Sequence, residues 1–265
     1  LGANQGGLDV RHILAGLLLC ATHSLAAQPV LRFSVAESWS MPLIRLEGDQ
    51  PVEGILYDLM QAAAREAGVR PEYHVMARLR LQQAMEGGDI DVRCYVATQW
   101  LIDRPGDYIW SVPLIHQRDL LVSHPGDPPR LNPEQVPAQA IGTVLGYSYP
   151  SLDSLFSAGR LRREDSRNQQ LALQKLRAGR YQYAVSNQLS LNWFNRQLPP
   201  EQRLRPQKVL EEQTLGCMVR SDPGVPTQAL LRALVRLKES GEIERILQRY
   251  ASPDASAGVV SGSGQ

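Results

Sequence analysis

Apolar and polar residues alternate through "VLRFSVAE" (30–37), and the run is rich in β-formers, so it predicts a strand. After Gly54 the period changes. In "ILYDLMQAAAREAG" the apolar residues Leu56, Leu59, Ala63 and Ala67 recur at helical spacing, and Gly68 supplies a stop. "PEYHVM" predicts a second strand, "ARLRLQQAMEGG" a helix ending in Gly87 and Gly88, and "DIDVRCYV" a third strand. The order β-α-β-α-β implies a parallel sheet with helices packed on its faces.

"DLLVSH" (119–124) predicts a fourth strand, and the proline-rich "PGDPPRLNPEQVP" after it predicts a linker. A second α/β unit then begins. "AIGTVLGYS" predicts a strand running into a glycine turn, "SLDSLFSAG" and "NQQLALQKLRAGR" predict helices, and "YQYAVS" a strand. Asn187 is placed to cap the helix "QLSLNWFNRQL", which Pro199 and Pro200 stop. "TLGCMVRSD" predicts a returning strand, and the helices "TQALLRALVRLKESG" and "EIERILQRYAS" follow. The expected organisation is α/β in two lobes with separate sheets, residues 30–123 with 216–250 and residues 125–213, with "DLLVSH" and "LGCMVR" at the seams. Residues 251–265 are expected to be a disordered tail.

Composition narrows the function classes. At 43% hydrophobic and 21% charged the chain can bury a core, and a formal net charge of +1 gives no field that would attract nucleic acid or anionic lipid. At the N-terminus Arg11 and His12 precede the apolar "ILAGLLLCAT", and "HSLAAQP" follows. That pattern predicts a signal peptide over residues 1–27, cleaved after Ala26 or Ala27, and export to the periplasm. Val10 sits where an initiator would stand, so residues 1–9 are expected to be an upstream extension. Leu19 precedes Cys20 where a lipoprotein would carry a small residue, which favours a soluble exported protein.

Export leaves Cys94 and Cys217, which either pair or serve as two small buried hydrophobes. There is no CxxC spacing, and His74, His116 and His124 are scattered, so neither a metal nor a cofactor is expected.

One stretch stands apart. "WLIDRPGDYIWSVPL" places Arg104 between Trp100 and Trp110, with a turn signal at Pro105 and Gly106. By itself this predicts a surface arginine paired with Asp103 or Asp107.

Taken in order, "GILYDLMQAAAREAG", "EGGDIDV", "DRPGDYIWSVPL", "IGTVLGYS", "LQKLRAGRYQYAVSN" and "LKESGEIERILQRY" resemble the type II periplasmic solute-binding proteins of family 3, the polar amino acid group. The likeness runs from Leu31 to Tyr250. It implies two lobes joined by two crossing strands and closing over a small solute. It also implies that Arg104 binds a ligand carboxylate in the cleft, where a planar fork of donors suits the task better than lysine. Tyr95, Thr98 and Gln99, at the end of the third strand, become ligand candidates. So do Tyr147 and Ser148 beside a helix start, and Trp39 as an aromatic lid, its alternative being an exposed or a core residue. Trp100 is a candidate wall. Arg78 and Arg93 add cationic character to the first lobe; the surface is the expected place for both, with the cleft as the alternative.

At position 187 the family's amino acid binders carry an aspartate for the ligand ammonium. This chain has Asn187, which keeps an acceptor but loses the charge, and so puts free α-amino acids in question. Asn187 can equally serve as a helix cap. The function implied is delivery of a small polar, carboxylate-bearing solute to the membrane permease of an ABC-type importer, by a monomer. The alternatives are a cleft enzyme of the cyclohexadienyl dehydratase type, for which Glu37 is the acidic candidate, or a sensing module that docks on a receptor.

Overall fold

The computed structural model describes residue 2 and residues 28–101, 108–126 and 137–251. The expected cleavage site, Arg104, residues 127–136 of the linker and the tail from residue 252 lie outside the described residues.

The elements in chain order are β1 (Val30–Ala36), β2 (Arg45–Glu47), β3 (Gln50–Glu53), α1 (Ile55–Ala67), β4 (Arg70–Met76), α2 (Leu81–Glu86), β5 (Val92–Val96), β6 (Tyr108–Trp110), β7 (Ile115–Ser123) and β8 (Gln139–Val144). They continue with α3 (Asp153–Ser157), β9 (Leu161–Ser166), α4 (Gln169–Arg177), β10 (Tyr183–Asn187), α5 (Gln188–Arg196), β11 (Arg205–Arg220), α6 (Thr227–Glu239) and α7 (Glu242–Tyr250). Short 3-10 turns at Arg78–Arg80 and Thr98–Trp100 lead out of β4 and β5.

In the first lobe β4, β1 and β5 run parallel, as the β-α-β-α-β order requires, and β11 joins them antiparallel. Leu31, Phe33 and Val35 on β1 are wholly buried. Each such side chain contributes about 1.5–3 kcal/mol through lost water contact. The buried stripe of α1 includes Leu56, Leu59 and Ala63, and Gly68 closes the helix in the left-handed conformation. Tyr250 ties α7 to α1, its hydroxyl accepting from the Gly54 N–H at 3.1 Å and donating to Asp58 Oδ2 at 3.1 Å. Cys94 on β5 and Cys217 on β11 are register partners, and their sulfurs are bonded.

In the second lobe β9, β8 and β10 run parallel and β7 joins β10 antiparallel. Strand alternation gives this sheet a core on each face. Leu120, Val122 and Ala184 pack with α4 and α5 on one side, while Leu121, Tyr183 and Val185 pack with Tyr149 and Leu152 on the other.

The lobes meet along β7 and β11. The 16 residues of β11 pair with β7 from Arg205 to Leu215, then with β5 and β6 from Gly216 to Arg220. This corrects the expectation of two separate sheets: the hydrogen bonds form one path, β4-β1-β5-β11-β7-β10-β8-β9. The path is continuous because one long strand serves both lobes. The returning strand therefore begins well before "TLGCMVRSD". The strands β2, β3, β6 and β9 were not legible either. β2, β3 and β6 are only three or four residues long, and β9, "LRREDS", is an edge strand whose charged residues hide the alternation.

Candidate functional site

A small enclosed space lies between the lobes, walled by Arg78, Tyr95 and Trp100 from the first and by Tyr147, Ser148, Tyr149, Gln169, Val185 and Asn187 from the second. Gln117 and Asp119 of the crossing strand β7 also line it. Its free volume is about 20 Å³, roughly the room one water needs. Bulky side chains fill the rest.

Tyr95, next to last in β5, has φ 60, a left-handed conformation that a tyrosine adopts at a cost on the order of 1–3 kcal/mol. Such strain persists where the surroundings hold it. Here the ring sits edge-on to Trp39, 6.0 Å away, and to Trp100, 6.5 Å away. Burial pushes the Tyr95 phenol well above its usual pKa, and its hydroxyl is buried with no hydrogen-bond partner among the described residues. On the second lobe, the turn after β8 passes through Gly146 at φ 76 and delivers Tyr147, Ser148 and Tyr149 to the cavity. The Tyr149 hydroxyl accepts from the Val144 N–H at 2.9 Å, which fixes its ring.

Arg78 bridges the lobes. Its guanidinium stacks on Trp100 at 5.2 Å and on Tyr147 of the opposite lobe at 4.4 Å. It also borders two open grooves outside the cavity, one with Glu37 and Ser38, the other with Arg93, Trp100 and Ser148. For Arg78 the cleft alternative therefore holds in place of the surface one. The correction is larger for Arg93, which is 7% exposed, and burial lowers its guanidinium to about 10.

Asp119 was missed. Its Oδ1 accepts from Gln117 Nε2 at 2.8 Å and its Oδ2 from Gln213 Nε2 at 3.2 Å. Gln213 Oε1 in turn accepts from Gln99 Nε2 at 2.8 Å. Burial, and then the nearby Glu211, raise the Asp119 carboxyl to about 6, while the Gln117 bond and Arg78 pull it down. Glu37, the acidic residue singled out from sequence, is exposed on an outer groove instead. The polar, every-second-residue pattern of Gln117 and Asp119 in "QRDLLVS" was the available signal. It reads as a solvated strand face until the strand is known to cross between lobes.

Of the residues expected at the site, Tyr95, Tyr147, Ser148 and Asn187 line the cavity. Asn187 also caps α5, its Oδ1 accepting from the Ser190 N–H at 2.8 Å. Trp39, 5% exposed, stands behind Tyr95 in the first lobe's core. Thr98 and Gln99 are exposed on the turn after β5 and lie off the cavity wall. Arg104 lies outside the described residues.

The fold is that of several solved amino-acid-binding proteins. An ancestral arginine-binding protein bound to arginine matches with TM-score 0.68 and 19% identity, over 84% of this chain and 98% of that one. A mutant of ArgBP from T. maritima matches with TM-score 0.66 and 18% identity, over 83% and 94%. The ancestral amino acid-binding protein AncCDT-1, a precursor of cyclohexadienyl dehydratase, matches with TM-score 0.66 and 15% identity, over 84% and 95%. Comparison with curated proteins gives no match. The family model of the bacterial extracellular solute-binding proteins, family 3, matches residues 32–253. With nearly all of the two-lobed region covered by that match, the chain belongs to the bacterial extracellular solute-binding proteins of family 3.

Proposed function

We propose that this chain is a periplasmic binding protein. It captures a small, carboxylate-bearing, amino-acid-type solute between lobes made of residues 30–123 with 216–250 and of residues 125–213, and passes it to the permease of an ABC-type importer. The observation that carries this reading is the cavity whose walls come from both lobes. With about 20 Å³ free, the lobes must part to admit a solute, and β7 and β11 are the strands about which they would turn. The family resemblance assigns Arg104 to the solute carboxylate, and Tyr147, Ser148 and Asn187 line the cavity from the second lobe. The Cys94–Cys217 bond accords with an oxidising compartment.

An enzymatic reading draws on Asp119, a carboxyl raised to about 6 inside the cavity and so able to exchange a proton near neutrality. Two amide donors hold it, however, and the other titratable groups on the wall are Arg78 and three tyrosines. A held carboxylate of this kind suits binding better than turnover.

A thermal-shift screen over amino acids, opines, polyamines and small carboxylates tests the proposal. A ligand at a hundred times its Kd stabilises by about 2.7 kcal/mol, a shift of about several degrees. No shift from any compound overturns the reading, and release of a dehydrated product from a bound compound favours the enzyme.

A further inference from the structure

Asp119 is a partly buried carboxylate with no ion pair among the described residues; the nearby charges are Glu211, which repels it, and Arg78, which attracts it. The amides of Gln117 and Gln213 hold it in place without neutralising it. Two further acceptors lining the same cavity are idle. Gln117 Oε1 and the Tyr95 hydroxyl are buried without hydrogen-bond partners, on side chains only 5% and 6% exposed. Buried polar atoms are normally paired, so idle ones around a cavity mark where a ligand's donors belong. One carboxylate and two neutral acceptors are the set that the three N–H bonds of an ammonium need.

The register gives the position. Asp119 on β7 is the direct partner of Asn187 on β10. Facing residues on adjacent antiparallel strands have Cβ atoms about 4.5–5.5 Å apart, so a carboxylate at 119 serves nearly the same point in the cavity as one at 187. Arg78, stacked between Trp100 and Tyr147, lines the same cavity. The cavity lining thus carries both a cation and an anion.

We propose that Asp119 receives a primary ammonium group of the solute, with Gln117 Oε1 and the Tyr95 hydroxyl as its neutral partners, and that the solute class is therefore zwitterionic. The charge absent at Asn187 is supplied from the neighbouring strand. This rests on the binding reading above.

Titration calorimetry at pH 7.5 with the proteinogenic L-amino acids, putrescine and the des-amino counterpart of each amino acid tests it. The expected result is that an L-amino acid binds, that its des-amino counterpart binds at least about thirtyfold more weakly, and that Asp119→Asn loses at least about thirtyfold. The double variant Asp119→Asn with Asn187→Asp, which moves the charge one strand over, should recover most of that loss, as a merely structural role for Asp119 would not allow. If an amino acid binds and Asp119→Asn stays within threefold of the parent, the assignment is overturned while the cleft remains a binding site. Binding confined to compounds lacking a cationic nitrogen has the same effect. Binding of none of the compounds removes both readings.

Discussion

Asp119 and Asn187 face each other across β7 and β10, and both line the cavity between the lobes. Asn187 uses its side-chain oxygen to cap α5, while Asp119 brings a carboxyl to the same wall from the crossing strand. The pair divides two tasks that a single aspartate at position 187 would combine, and the division has consequences for stability.

Burial raises the Asp119 carboxyl from 3.8 to about 6. Because the folded value lies above the unfolded one, the folded state binds the proton more tightly. Stability therefore falls as pH rises from about 4 to about 6, and the full cost, about 1–3 kcal/mol, is present above that window. Unliganded Asp119→Asn should be the more stable protein at pH 7.5 by about that amount, with the gap closing as pH drops through the window. Urea melts at a series of pH values measure it. A gap independent of pH would mean that the desolvated charge is not its source.

Asn187→Asp should destabilise the unliganded protein at neutral pH by about 1–3 kcal/mol. Aspartate caps a helix as well as asparagine does, so the loss cannot come from the cap. It comes from a second carboxylate opposite Asp119, which raises both pKa values. The penalty should fade below about pH 5 as the pair takes up protons, which thermal melts at two pH values would detect.

The Cys94–Cys217 bond joins residues 123 apart in sequence, so it constrains a long loop of the unfolded chain. Replacing both cysteines with alanine should cost about 2–4 kcal/mol of stability. Denaturant titration of parent and variant, with and without reductant, checks this: reductant should lower the parent toward the variant and leave the variant unmoved.

Arg104→Ala should weaken solute binding by about 2–5 kcal/mol, and Arg104→Lys should recover little, because a point charge does not replace a two-pronged donor. Under the surface-pair reading, affinity stays unchanged and stability moves by less than about 1 kcal/mol. Calorimetry on the two variants separates these outcomes.

Arg78→Ala removes the stacking of one guanidinium on Trp100 and Tyr147, contacts worth about 0.5–2 kcal/mol each. Since Tyr147 belongs to the opposite lobe, the unliganded variant should open more readily. Small-angle scattering should give it a larger radius of gyration than the parent, and an equal radius would assign the closure to other contacts.

The sequence by itself determined whatever depends on neighbours along the chain. Helical spacing located α1 with its buried Leu56, Leu59 and Ala63, the order of strands and helices dictated the parallel sheets, and Asn187 was recognisable as a helix cap. The tertiary structure alone decided which charges meet. Asp119 and Gln117 sit in a stretch that reads as an ordinary solvated strand, and Arg93 as an ordinary surface arginine. Burial follows from what packs across a strand, and that partner comes from a distant part of the chain. Trp39 is likewise compatible with a lid or a core residue, and only the ring of Tyr95, packed edge-on against it, decides for the core. Periodicity is a property of consecutive residues and survives in the sequence. The pairing of Asp119 with Asn187 is a property of strand register, which is fixed only when the hydrogen bonds and the cores on both faces of the sheet form together.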